Sequence, residues 1–281
     1  MINNEDTNFC VNGQRLPNVF LLGSQKCGTT TLANILWKYW QGAENCKKEL
    51  RSFCKKEPHF FDQTGQVQLH QLEYVQMFPL CKNSTKNVMD ATPDYAAFPD
   101  RIFKMFNEKE REQILFIKIV CDPVKRYESH WNHCVRDGFN WGNNCKRNQT
   151  IDENVREALS FNRRTIKNGE YIAEVEKLRK YFPDNRLVLV SNTHFFQNQE
   201  IIVKEILQMA GTWFKWKINK NERANSGRKK ARMNSNSIRK LAGYYDKMMK
   251  RLADWMAKDQ NLVFIPNDIE KFMVGIWNYT L

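Results

Sequence analysis

The chain has 281 residues, 42% hydrophobic and 27% charged, an ordinary globular composition long enough for one large α/β core or two small ones. With only 12 Gly and 8 Pro, and no repeat or biased tract, a fibrous or low-complexity chain is excluded. Lys and Arg total 44 against 31 Asp and Glu, a net charge of +13. Such a surface favours an anionic ligand (nucleic acid, acidic glycan, anionic lipid or phosphorylated cofactor) unless it is simply a solvated basic face.

In chain order, the polar, acidic start at Met1 to Asp6 is unlike a signal peptide. Residues 16–23 read as a short buried strand ending at Gly23, and 29–40 as a helix with Leu32, Ile35, Leu36 and Tyr39 on one face. A second short strand is expected at 88–90, and a central strand over the β-branched run 114–120. Helices are expected at 124–135, after Pro123 at a tolerated first-turn position, and at 152–161 and 170–181. A strand at 186–190 and a helix at 200–210 follow, the helix stopping at Gly211 as a C′ residue. Residues 212–235, rich in Lys, Arg and Asn, read as a surface loop. Ile238, Leu241, Tyr245, Met248, Leu252, Trp255 and Met256 place a long amphipathic helix over 236–257, its apolar stripe packed into the core. No apolar run approaches the ~20 residues of a membrane span, so no transmembrane segment is expected. The chain then is soluble, either complete or cut from an anchored protein.

Buried strands alternating with amphipathic helices imply an α/β fold: a single P-loop-type domain with a central parallel β-sheet flanked by helices. Eight cysteines (Cys10, Cys27, Cys46, Cys54, Cys81, Cys121, Cys134, Cys145) include no Cys-x-x-Cys pair and no zinc spacing. The even count, with Cys134 and Cys145 bracketing a polar loop, fits disulfides in an oxidising compartment; scattered reduced thiols fit equally. The sequons at Asn83, Asn148 and Asn278 are near chance expectation and decide nothing.

The strongest local signal is Gly23-Ser24-Gln25-Lys26-Cys27-Gly28-Thr29-Thr30, after a strand and opening a helix. That context turns successive backbone N–H groups and the positive helix end toward an anion. The glycine spacing matches G-x-x-x-x-G-K-[ST], yet residue 29 is Thr where an ATP-using loop has Lys, and Lys26 lies three residues earlier. Asp122 follows a strand but precedes a proline and has no obvious magnesium-binding partner. A ligand-free glycine turn is the bland alternative, and helix capping that for Thr29 and Thr30.

The segment from Pro17 to Leu32 resembles the 5′-phosphosulfate loop of sulfotransferases that use 3′-phosphoadenosine 5′-phosphosulfate (PAPS), particularly the carbohydrate enzymes of the heparan sulfate group. Three further segments agree in order. Lys56-Glu57-Pro58-His59-Phe60-Phe61 resembles the segment carrying the catalytic base, Asp122 to His130 the 3′-phosphate motif, and 171–211 the later helix–strand–helix pattern. The resemblance spans roughly 16–257, and implies residues 1–15 as an N-terminal extension and 16–281 as the sulfotransferase domain.

The resemblance assigns Lys26 to the leaving phosphate oxygen, without a metal. It assigns Cys27, Gly28, Thr29, Thr30 and Thr31 to the 5′-phosphate. Ser129 matches the 3′-phosphate serine, with a helix-surface serine as its bland reading. Gly227, Arg228, Lys229 and Lys230 resemble the late basic loop over that phosphate; as a bare charge run they are a solvated face or a nucleic-acid patch. Glu57 is the candidate general base, its basicity raised by apolar neighbours; His59 is the alternative, since imidazole titrates near neutrality.

Two departures stand out. The family's arginine eight positions before the serine is Cys121, leaving a charged phosphate contact to Arg126, Lys125 or the late basic loop, or leaving activity weak. Arg126 itself matches a position often structural. Within Asp90-Ala91-Thr92-Pro93-Asp94-Tyr95, Ala91 stands where many glycan enzymes have Lys. Trp131, His133 and Trp141 line an acceptor cleft or simply pack.

The expected activity is PAPS-dependent sulfuryl transfer to a hydroxyl or amine, of a carbohydrate and possibly anionic acceptor, leaving 3′-phosphoadenosine 5′-phosphate (PAP), with no nucleic-acid partner. Alternatives are a sulfotransferase for a small alcohol, phenol or amine, a P-loop nucleotide kinase, and an inactive basic binding protein. By resemblance the compartment is the Golgi lumen; a complete chain would be cytoplasmic.

Overall fold

The computed structural model describes residues 9–43, 57–62, 71–83, 87–137, 149–161, 163–213 and 231–279. Strands β1 (Cys10–Val11) and β2 (Gln14–Arg15) form a small antiparallel hairpin. It is fastened by a Cys10–Cys81 disulfide and by Phe9, which is buried. The end of the expected N-terminal extension is thus packed onto the domain.

The main sheet contains β3 (Val19–Leu21), β4 (Met89–Asp90), β5 (Leu115–Val120), β6 (Leu187–Ser191) and β7 (Leu262–Ile265), in the order β4-β3-β5-β6-β7 and parallel throughout. Every residue of β3, β5 and β6 is buried, as strands covered by helices on both faces require. The one charge in β5, Lys118, is buried and pairs with Glu174 at 2.6 Å.

The helices are α1 (Thr29–Leu36), α2 (Gln71–Gln76), α3 (Pro99–Met105), α4 (Glu108–Gln113), α5 (Pro123–Asp137) and α6 (Ile151–Ser160). They continue with α7 (Arg164–Lys167), α8 (Tyr171–Tyr181), α9 (Asn192–Gln197), α10 (Gln199–Met209), α11 (Ser235–Met256) and α12 (Ile269–Ile276). Ends follow local chemistry. Thr150 and Glu153 form a capping box at α6. Gly211, at φ 64, closes α10, its N–H on Gln208 and that of Thr212 on Leu207. The strand β7 and helix α12 were not foreseen; β7 is a short apolar run, Leu-Val-Phe-Ile, of which only Ile265 is buried.

Sheet order decides where a ligand can sit. From β3 the chain steps to β4 on one side and then to β5 on the other, so the direction of winding reverses at β3. Crevices at such switch points, beyond the carboxyl ends of the strands, are the usual ligand sites of open parallel sheets. The turns after β3 and after β5 border this one. No helix among the described residues is long and apolar enough to cross a membrane.

Candidate functional site

The turn after β3 stays paired with β5 through Gly23 and Ser24: Ser24 N–H donates to Ile119 at 2.6 Å, and Ile119 N–H to Gly23 at 2.7 Å. The chain then winds tightly. Gly23, Lys26 and Gly28 have φ of 108, 72 and 105, backbone that suits glycine and is unusual for lysine. Both glycines are also needed for space. A Cβ on Gly23 would lie 2.9 Å from the Pro93 carbonyl, and one on Gly28 3.0 Å from the Phe196 ring.

Gly28 is the N-cap of α1, so no side chain caps this end, and no acidic residue lies in the first turn. A helix's first N–H groups have no partner within it, and without a cap or a carboxylate they suit an anion. Thr29 and Thr31 are buried, whereas Thr30 and Lys26 are partly exposed. The Cys27 N–H donates to Ser24 at 3.0 Å and its sulfur is in a disulfide with Cys121. Cys27 therefore shapes the loop through its turn hydrogen bond and its disulfide. The uncapped helix start and the glycine cradle fit the 5′-phosphate end of a nucleotide donor.

Across the crevice, Asp122 starts α5. Its Oδ1 accepts from the N–H groups of Val124 (2.9 Å) and Lys125 (3.2 Å), and its Oδ2 from the Tyr279 hydroxyl at 3.0 Å. That carboxylate is a helix cap. Ser129 is partly exposed on α5. Next to it, Glu128 pairs with Arg232 at 2.7 Å and accepts from the Met233 N–H, while Asn132 and Ala231 exchange two hydrogen bonds. The chain immediately after the expected basic loop is thus docked around Ser129. Gly227, Arg228, Lys229 and Lys230 themselves lie outside the described residues.

Arg126 differs from expectation. It is 1% exposed and donates to the Thr165 carbonyl. A guanidinium sealed from solvent is not reachable by a ligand, so its placement supports packing, not a phosphate contact. It cannot stand in for the missing arginine at 121. Lys125 is 82% exposed, 3.6 Å from Asp122. His130 is buried, with Nδ1 3.0 Å from the Gln25 Oε1 of the loop. Burial, then the charges of Arg126 and Lys26, push its pKa down to about 3, so it is a neutral brace between α5 and the loop.

The expected base segment forms a second cluster. His59 places Nδ1 2.6 Å from Asp62 and Nε2 3.4 Å from Glu57. Burial alone would lower the His59 pKa, but hydrogen bonds and charge from Asp62 and Glu57 outweigh it and push it up to about 10. The two flanking carboxylates thus favour the imidazolium at neutral pH, which weighs against the expected alternative of His59 as base. Aromatic packing anchors the segment: Phe60 stacks on Tyr74 at 4.5 Å, Phe61 meets Tyr95 edge-on at 5.0 Å, and the Phe60 N–H donates to the Tyr95 hydroxyl at 2.7 Å.

Asp90, fully buried, accepts from Tyr74 (2.8 Å) and Thr92 (2.7 Å). Burial pushes its pKa up to about 7 against those bonds. Ala91 is also buried. Asp94 has its pKa raised by burial, partly offset by Arg164 at 3.3 Å. Ligand atoms of His59, Asp62 and Asp94 lie within 4.8 Å of one another. The same groups form an ion-pair network through the His59–Asp62 contact at 2.6 Å. Trp131 is buried, consistent with packing; His133 lies 2.8 Å from Arg136, and Trp141 is outside the described residues.

Of the candidates named from sequence, Lys26 lies in the turn after β3 and Ser129 on α5, while Glu57 and His59 fall in one cluster. The clusters are linked: Gly23 abuts Pro93 beside Asp94, and Arg164 bears on both His130 and Asp94. Sequence reasoning did not single out Asp62, three residues from His59, nor Arg164, Tyr171 and the Cys27–Cys121 bond, whose partners are distant in the chain.

The crevice defines a P-loop-like α/β transferase site. The sulfotransferase domain profile matches residues 16–250, and the chain belongs to the sulfotransferase family. It is a transferase of sulfuryl groups, in a family that generally uses PAPS as donor. A crystal structure of a sulfotransferase from Alicyclobacillus acidocaldarius is similar, with TM-score 0.58 and 18% identity over 87% of this chain and 97% of that one. At that identity the likeness concerns the fold. No curated protein matches the chain.

Proposed function

We propose that this protein transfers the sulfuryl group of PAPS to a hydroxyl of a carbohydrate acceptor. The observation that carries the donor reading is the helix start at Gly28, uncapped and free of acidic residues, with partly exposed Lys26 beside it. PAPS when bound supplies the sulfuryl group and a phosphate leaving group. Gly28, Thr29 and Thr30 offer backbone N–H groups, and Thr30 its hydroxyl, to the 5′-phosphate. Lys26 places an ammonium against charge that develops on the departing oxygen. Ser129, with the basic residues Arg228, Lys229 and Lys230, serves the 3′-phosphate. Glu57 removes the acceptor proton, and His59, held as a cation by Asp62, orients it. The carbohydrate class rests on the resemblance of 56–61 and 122–130 to heparan-type enzymes and on the net charge of +13.

The Cys10–Cys81 and Cys27–Cys121 bonds, with Cys134 also disulfide-bonded, support folding in an oxidising lumen such as the Golgi. Thermal unfolding with PAP against ATP–magnesium tests the donor. A ligand at 100 times its Kd adds ~2.7 kcal/mol to native stability, so PAP should raise the midpoint and ATP–magnesium should not; the reverse order overturns the reading. Radiolabelled PAPS with panels of glycans and of small alcohols, phenols and amines tests the acceptor class. Labelling confined to the small molecules would replace the carbohydrate.

A further inference from the structure

We infer that Cys121 is a positioning residue for the sulfuryl donor, acting through its disulfide with Cys27 to hold the loop before α1 in its binding shape. This deepens the proposed function and rests on the reading of Gly23 to Thr30 as the donor loop. The bond joins the two turns that border the switch-point crevice, with Cα atoms 5.3 Å apart. Cys27 lies between Lys26 at φ 72 and Gly28 at φ 105. A lysine in left-handed backbone is held against its own preference, and such a conformation persists only where its surroundings over-determine it.

Those surroundings converge on Cys27. Asn192 donates to its carbonyl, its N–H donates to Ser24, and its sulfur is tied to the end of β5. The far end is fixed as well. The Tyr171 hydroxyl donates to the Cys121 carbonyl at 2.9 Å and lies 3.5 and 3.8 Å from the sulfurs of Cys27 and Cys121. The two cysteines are 0% and 8% exposed, so the bond braces the loop from beneath. A covalent brace stands where a charged contact to the nucleotide was expected from residue 121. The bond forms as the chain folds. Two thiols lose two electrons and two protons by exchange with the disulfide of an oxidising partner protein, which becomes a dithiol. Donor binding is thereby made dependent on oxidative maturation.

Calorimetric titration of PAP into wild type, Cys27→Ser/Cys121→Ser and Cys10→Ser/Cys81→Ser tests this. Both double variants lose a disulfide and should unfold at lower temperature, which a merely structural role also predicts. Only Cys27→Ser/Cys121→Ser should weaken PAP, by about tenfold if the binding-competent loop falls to about a tenth of the population. Equal affinity in that folded variant, or equal weakening in both, overturns the inference. If wild type itself fails to bind PAP, the donor-loop reading has failed instead. Should the serine variant not fold, wild type reduced with dithiothreitol and checked by mass spectrometry replaces it. Affinity should fall on cleavage of the Cys27–Cys121 bond and return on reoxidation; unchanged affinity with that bond open overturns the inference.

Discussion

The donor side and the base side of the crevice are built by different means. Gly23 to Thr30 is shaped by backbone: two glycines in positive φ, a helix start without a cap, hydrogen bonds into β5 and a disulfide. The cluster of Glu57, His59, Asp62 and Asp94 is shaped by side-chain charge, with an imidazolium between carboxylates and an aromatic floor beneath. Backbone donors keep one charge state at every pH, so the glycine turn and helix start hold their donors unchanged as pH varies. The cluster proposed to supply the base is built of coupled titratable groups, which make it sensitive to pH and to any single replacement.

This contrast yields four predictions. The largest effect is expected from Lys26→Ala, which should lower turnover by ~10³-fold with the thermal midpoint unchanged. Wild-type-like turnover would remove Lys26 from the chemistry and leave only the backbone on the donor side. Glu57→Gln should lower kcat by ~10²-fold, near the low end for a general base because other carboxylates lie close by. An unchanged PAP affinity in the same variant would show the two sides to be separable; a parallel loss of affinity would break the comparison.

Cys10→Ser/Cys81→Ser should destabilise the fold by about 2–4 kcal/mol, since that bond closes a separation of 71 residues. Denaturant unfolding measures this. A loss below ~0.5 kcal/mol would mean that the hairpin is held by Phe9 packing alone.

The smallest effect concerns pH. The His59 pKa is raised in the fold to about 10 from 6.5, so its contribution is complete below about pH 6.5. It is lost as pH rises toward 10, where the folded state also releases the proton. His59→Gln should remove roughly 1–2 kcal/mol at pH 6 and much less near pH 10, allowing for solvent screening of a side chain 27% exposed. Equal destabilisation at both pH values would separate His59 from the charge network.

The long elements were legible because periodicity reports them directly. The expected helix at 236–257 is observed as Ser235–Met256, and the expected strand at 114–120 as Leu115–Val120. The hairpin of β1 and β2, with two residues per strand, is too short to show a period, and the four apolar residues of β7 do not by themselves separate strand from helix. The same division runs through the site. Glycine spacing around Lys26 is a local signal, because backbone geometry depends on neighbours in sequence. The partners of His59 lie within the six residues 57–62, yet the segment is anchored by Phe60 and Phe61 docking against Tyr74 and Tyr95. Arg126 looked available for phosphate because charge in a sequence carries no burial.

The amino-acid sequence by itself determined the α/β alternation and the glycine-bearing turn between β3 and α1, and it singled out Lys26, Ser129 and Glu57 as candidates, all from local pattern. Only the tertiary structure decided that Cys27 bonds to Cys121 across 94 residues, that Arg126 is sealed inside, and that Glu57 and Asp62 close on His59 and raise its pKa. Pairing, burial and pKa are set by which distant groups meet, and that meeting exists only once the sheet has ordered its strands.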